Sequence, residues 1–181
     1  MQQDQYTNEE KQELLKVVRT AIETYIRKSK KYKPQTENEK FLEKRGVFVT
    51  LHKNGKLRGC IGYIQPIKPL IEAVCDNAVA AAAADNRFAP VEADEIDDLR
   101  IEISVLTVPR PDTLENIIKN KYGVVLRQGS RGATYLPQVW DDLPEPEEFF
   151  GSLCLKAGLE PGCYKDSGTE LLSYRAVVFG E

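Results

Sequence analysis

VFVTLHKNGKLRGCIGYI, residues 47–64, decides how the fold is read. Val47-Phe48-Val49-Thr50-Leu51 is rich in branched and aromatic side chains, which suit a pleated strand. Lys53-Asn54-Gly55-Lys56 follows, and Asn-Gly is the strongest two-residue hairpin signal. The return strand runs from Leu57 to Ile64. Pro66 and Pro69 close it, and Pro69 suits the first position of a following helix.

The same stretch contains the candidate chemistry. Gly59 and Gly62 flank Cys60 within one strand. Glycine weakens a strand interior, so it marks a bulge or the close approach of a backbone or ligand. Arg58 offers a planar donor fork to a carboxylate or phosphate, and Cys60 is a nucleophile that a nearby guanidinium would activate. Alternation along the strand turns Arg58 and Cys60 to one face. The competing role for Cys60 is that of a small buried hydrophobe. If residues pair symmetrically about Asn54-Gly55, His52 faces Leu57 and Cys60 faces Val49. The sole histidine then lies on the face opposite Cys60. A bulge of one residue would reverse this.

Outward from the hairpin, Thr7-Asn8-Glu9-Glu10 is a capping box. A helix follows with Leu14, Val18, Ile22, Tyr25 and Ile26 on one face, ending near Tyr32-Lys33-Pro34. The cations Arg27, Lys28, Lys30, Lys31 and Lys33 suit that helix end and its dipole, or form a phosphate-binding patch, which the overall acidic balance disfavours. Residues 34–45 are a polar loop. A second helix is predicted over Leu70–Ala84. Arg100–Thr107 alternates Ile101, Ile103 and Val105 with Glu102 and Ser104, as a two-faced strand does. Asp112 is expected to cap a short helix ending at Gly123. Val124–Arg127 and Ala133–Leu136 are strands around a Gly129–Gly132 turn. Pro144–Ala157 is a helix, and Leu171–Phe179 is the last strand. Helices and strands mix without clean βαβ repeats, which predicts an α+β fold with a mixed or mainly antiparallel sheet.

Composition narrows the function. The 181 residues fit one domain or one domain of two lobes. Hydrophobic residues make up 41% and charged residues 29%, a globular balance. Net charge is −3, so nucleic acid is not the expected partner. The first residues lack the apolar core of a signal peptide, and the longest low-polarity run, Ala78–Ala84, is far short of a membrane span. A soluble cytoplasmic protein is expected. Cys60, Cys75, Cys154 and Cys163 form no CxxC pair, so no metal site is predicted and free thiols are expected. No cofactor is predicted either.

Three further segments join the hexapeptide Leu57-Arg58-Gly59-Cys60-Ile61-Gly62. Asp85-Asn86-Arg87-Phe88-Ala89-Pro90 places two charges where a helix ends, either for function or as an ion pair holding the turn. Leu136-Pro137-Gln138-Val139-Trp140 offers the Gln138 amide to a ligand, or buries it. Lys156, at the end of Leu153–Gly158, suits a helix dipole or adds positive charge to a site. The candidate catalytic residues are Cys60, Arg58 and Asp85. Those for ligand binding are Gly59, Gly62, Arg87, Gln138 and Lys156.

Together these segments resemble the AMMECR domain family. The hexapeptide matches its signature without change. The likeness extends through Phe48–Leu51, Asp85–Pro90, Ile103–Thr107, Leu136–Val139 and Lys156–Leu159. The family usually has proline where this chain has Asn86. The resemblance implies a two-lobed α+β fold with the hexapeptide beside a cleft between lobes. It also implies a place in a three-part prokaryotic system with a Memo-type protein and a radical S-adenosylmethionine enzyme. It brings no established reaction. The functions to weigh are therefore a Cys60-dependent enzyme or acceptor, an adaptor, and a binding module for an anionic small molecule or modified nucleotide.

Overall fold

The capping box at Thr7 forms as read. The Thr7 hydroxyl accepts the Glu10 N–H, and the Glu10 carboxylate accepts the Thr7 N–H. It starts α1, Asn8–Lys28, which buries Leu14, Leu15, Val18, Ala21 and Ile22. This computed structural model describes residues 5–181. The reading of the extreme N-terminus as free of a signal sequence rests in part on residues 1–4, which lie outside the described residues. Among the described residues no helix is long and apolar enough to cross a membrane.

Two units are distinguished. One runs to Leu106 and resumes at Val177–Glu181, and the other is Thr107–Ala176. In the first, α1 is followed by a short helix α2, Glu39–Leu42, then β1, Val47–Lys53, and β2, Lys56–Tyr63. Next come α3, Leu70–Ala83, and β3, Leu99–Leu106, and β8, Ala176–Gly180, completes a sheet in the order β2-β1-β3-β8. The β1–β2 and β1–β3 pairs are antiparallel. Val47, Val49 and Leu51 alternate inward and meet Ile101, Ile103 and Val105, all buried in one core with α1 and α3. Each such aliphatic side chain gains about 1.5–3 kcal/mol from leaving water.

The second unit contains β4, Arg110–Pro111, α4, Leu114–Asn120, β5, Gly123–Gln128, and β6, Arg131–Tyr135. It continues with α5, Val139–Asp142, α6, Pro146–Lys156, and β7, Glu170–Tyr174. Its sheet runs β4-β7-β5-β6, with antiparallel pairs throughout. Trp140 stacks on Phe149 at 3.8 Å between ring centroids and donates its indole N–H to the Tyr122 carbonyl.

The α+β class and the antiparallel hairpin agree with the sequence. Several details differ. The first helix stops at Lys28, because Ser29 takes a left-handed conformation (φ 51°) and its N–H closes on the Tyr25 carbonyl. The polar stretch 34–45 holds α2, whose first turn Asn38 caps by accepting the Lys40 N–H. Thr113 is the cap of α4, its hydroxyl accepting the Asn116 N–H, while Asp112 braces Asn116 and Ser173. The single strand expected over Leu171–Phe179 divides at Arg175. Tyr174 pairs with Gly123 in the second unit's sheet, and β8 joins the first. A strand-like run marks extended backbone and carries no mark of which sheet it joins.

The thiols also differ from expectation. Cys154, in the last turns of α6, and Cys163 come within 6.1 Å (Cα–Cα) and are joined as a disulfide, leaving Cys60 and Cys75 free. Helix and following turn supply a proximity that residue spacing alone does not reveal.

Candidate functional site

The hairpin turn is the expected two-residue kind. Asn54 and Gly55 both have positive φ, at 52° and 73°, as a type I′ turn requires. Lys53 pairs with Lys56, and His52 with Leu57. Then β2 takes up an extra residue at Arg58, and the register moves by one: Leu51 faces Gly59 and Thr50 faces Cys60. This bulge corrects the symmetric pairing. Cys60 shares its face with Thr50, and therefore with Phe48 and His52. The strand alternation that would tie Arg58 to the Cys60 face is interrupted at the same point.

The close approach that the glycines imply is real, and the protein itself makes it. A Cβ on Gly59 would lie 2.1 Å from the Ala81 carbonyl oxygen of α3. One on Gly62 would meet the Phe48 ring and the Val47 carbonyl, each at 2.4 Å. Gly59 thus faces α3, and Cys60, the next residue, faces away from it. No ligand is needed to account for either glycine.

Arg58 is engaged in the same way. Its Nε and Nη2 donate to the two oxygens of Glu95, at 3.1 and 2.8 Å. Nη1 donates to the Ala89 carbonyl at 2.8 Å, and Nη2 to the Pro90 carbonyl at 3.2 Å. Lys53 and the Glu92 N–H also donate to Glu95. Its hydrogen bonds from Arg58 first, then that from the Glu92 backbone, hold the Glu95 carboxyl at about 2. The fork expected to take an external anion grips the loop after α3.

Asp85 and Arg87 hold the Cys60 peptide from the other side. Asp85 Oδ2 accepts the Cys60 N–H at 2.9 Å. Arg87 Nη2 donates to the Cys60 carbonyl at 3.2 Å and to Asp85 Oδ2 at 2.7 Å, and its Nε donates to Asp85 Oδ1 at 2.9 Å. Asp85 is 5% exposed. The Arg87 side chain, then the Cys60 N–H, hold its carboxyl well below the usual carboxylate range. The guanidinium is held protonated more firmly in turn, chiefly by its bonds to Asp85. Because β2 ends the sheet, this pair closes off its free edge at Cys60.

Both main-chain groups of Cys60 therefore point away from β1. Thr50 and Cys60 form a non-hydrogen-bonded pair, the kind whose side chains lie closest. Thr50 Oγ1 is 3.2 Å from Cys60 Sγ, and both residues are half-buried. Cys75, the other free thiol, is buried and donates to the Tyr32 carbonyl, and burial pushes its thiol up to about 11.

Gln138 and Lys156 belong to the second unit. Gln138 is exposed and precedes α5. Lys156 ends α6, donates to the Thr134 carbonyl at 3.1 Å and lies 4.8 Å from the Tyr135 ring centroid. Among the described residues no group of three or more His, Cys, Asp and Glu is gathered as a metal ion would require. The first unit thus brings Arg58, Gly59, Cys60, Gly62, Asp85 and Arg87 into one frame. Thr50 and Glu95 are additions. Glu95 sits unremarked in the acidic stretch 92–98, and Thr50 would be found only by knowing the bulge.

The AMMECR1 family pattern matches residues 15–179. A protein of Methanothermobacter thermautotrophicus is 41% identical, over 97% of this chain and 96% of its own length. Protein MK0488 of Methanopyrus kandleri is 38% identical, over 98% and 91%. The crystal structure of uncharacterized protein PH0010 from Pyrococcus horikoshii superimposes with a TM-score of 0.81 at 36% identity, covering 93% of this chain and 89% of that one. With a family pattern spanning nearly the whole sequence and relatives matched almost end to end, this chain belongs to the AMMECR1 family.

Proposed function

We propose that this protein acts through the thiol of Cys60, as a nucleophile or acceptor group, within a cytoplasmic assembly that includes a Memo-type protein and a radical S-adenosylmethionine enzyme. One observation carries the reading. In the hexapeptide, Arg58, the two glycines and the Cys60 peptide are all engaged within the protein, and the free thiol of half-buried Cys60 is the reactive group left to offer. A framework that rigid suits a group whose position matters. The partners come from the family resemblance alone.

Alkylation of the folded protein tests the thiol. Cys60 should react faster at neutral pH than a free thiol of pKa ~8.5. A rate no greater than that overturns the reading.

A second reading is an adaptor in which the hexapeptide only braces the loop after α3, favoured by the Arg58–Glu95 contacts. Co-purification with the two partners separates them. If Cys60→Ala leaves function and binding intact while surface substitutions abolish binding, the adaptor reading holds. An anion-binding module has less support, since Glu95 and Asp85 already neutralise Arg58 and Arg87.

A further inference from the structure

We infer that Thr50 positions the Cys60 sulfur and stabilises its ionised form, a role that rests on the thiol reading above. While Cys60 is a thiol, either the sulfur or the hydroxyl can donate across their 3.2 Å contact. Once the proton leaves, the sulfur can only accept, and Thr50 must donate. A donor to the charged form favours that form.

The contact depends on the bulge. Pairing run regularly back from the turn would set Thr50 opposite Gly59, and the extra residue at Arg58 sets it opposite Cys60. Three constraints then fix the sulfur's backbone: Asp85 on its N–H, Arg87 on its carbonyl, and the Ala81 carbonyl against Gly59. The threonine is β-branched, so few side-chain rotamers are open to it.

Charged neighbours pull both ways. Glu102 pairs with Thr50 on β3, and His52, one pair further along β1, faces Arg100. The carboxylates of Glu102 and Asp85 oppose an anionic sulfur, and Arg87 favours it. The Thr50 hydroxyl is within hydrogen-bond reach of the sulfur.

The test is iodoacetamide alkylation of the full chain across pH, read by mass spectrometry of the peptide carrying Cys60. Sulfur displaces iodide, so the rate follows the thiolate fraction. Thr50→Val removes the hydroxyl at nearly constant volume, and Thr50→Ser keeps it. Thr50→Val should move the midpoint upward and slow neutral-pH alkylation roughly three- to tenfold, with Thr50→Ser near wild type. Thr50→Ala serves as a second hydroxyl-free variant should Thr50→Val not fold. Identical profiles for folded wild type, hydroxyl-free variant and Thr50→Ser overturn the inference. The two proposals fail separately. A low wild-type midpoint unmoved by Thr50→Val sinks Thr50 alone. A midpoint of ~8.5 that still rises on hydroxyl removal sinks the thiol function and leaves the contact standing.

Discussion

Gly59 shows how little freedom a single position in the hexapeptide has. The place of its missing Cβ is taken by a helix carbonyl, so any side chain must push α3 off β2. Gly59→Ala should lower stability by about 2–3 kcal/mol, the scale of overpacking against an unyielding neighbour. A urea midpoint equal to wild type would show that α3 is not seated there. Asp85 and Glu95 contribute to the response to acid. Both carboxyls are depressed in the folded chain, Glu95 to about 2. Their contribution is complete above the unfolded values, about 3.9 and 4.3, and is lost as pH falls through those values towards the folded ones. Wild type should therefore lose stability from about pH 5 downward more steeply than Asp85→Asn/Glu95→Gln, which starts weaker at pH 7. Parallel urea midpoints against pH for the two proteins would contradict this. At this scale the sequence singled out residues that the fold gathers along one strand: Arg58 and Cys60 lie on β2, and Asp85 and Arg87 bond to the Cys60 main chain. What it misassigned was their partners. Arg58 reads as a clamp for a ligand because a guanidinium carries no mark of which carboxylate it will meet, and Glu95 lies 37 residues away.

Several elements were legible from local signals, though α2 and the cap of α4 were not. Asn54-Gly55 specifies its turn, and Thr7 with Glu10 its cap, because both are satisfied within a few residues. The bulge stood only as an open alternative in the sequence, since the contacts that accompany it come from outside the hairpin, from the loop after α3. Arg58 is the tie between β2 and that loop. Arg58→Met should leave Glu95 and two carbonyls short of donors, at about 2–4 kcal/mol. Hydrogen exchange should quicken over residues 85–95 and change less in α1. Equal protection in variant and wild type would mean that the loop holds without Arg58. The division of the last strand-like run at Arg175 was hidden for a related reason: both halves alternate correctly, and only their partners differ.

At the scale of the whole molecule, the two units carry separate cores, one under α1 and α3 and one around Trp140 and Phe149. The Cys154–Cys163 disulfide lies wholly in the second. Replacing both cysteines with serine should lower that unit's stability by about 2–3 kcal/mol, as a short closed loop predicts. The Trp140 fluorescence transition should move, and the first unit's exchange protection should not. A fluorescence midpoint indifferent to the substitution would contradict the bond's contribution.

The sheet of the first unit has a consequence for how the chain acquires its shape. β8 lies beside β3, yet residues 107–175 come between them, the two ends of that stretch tied by the Thr107 N–H on the Arg175 carbonyl and the Arg175 N–H on the Thr107 hydroxyl. Closing so long a loop is slow, since its entropy is lost before the pairing returns anything. If the inserted segment folds first, it becomes a ready-made staple that draws the distant strand to its place. Refolding should then show Trp140 reporting its native environment before the last edge of the neighbouring sheet gains protection, so that the final strand arrives late on a ribbon otherwise complete.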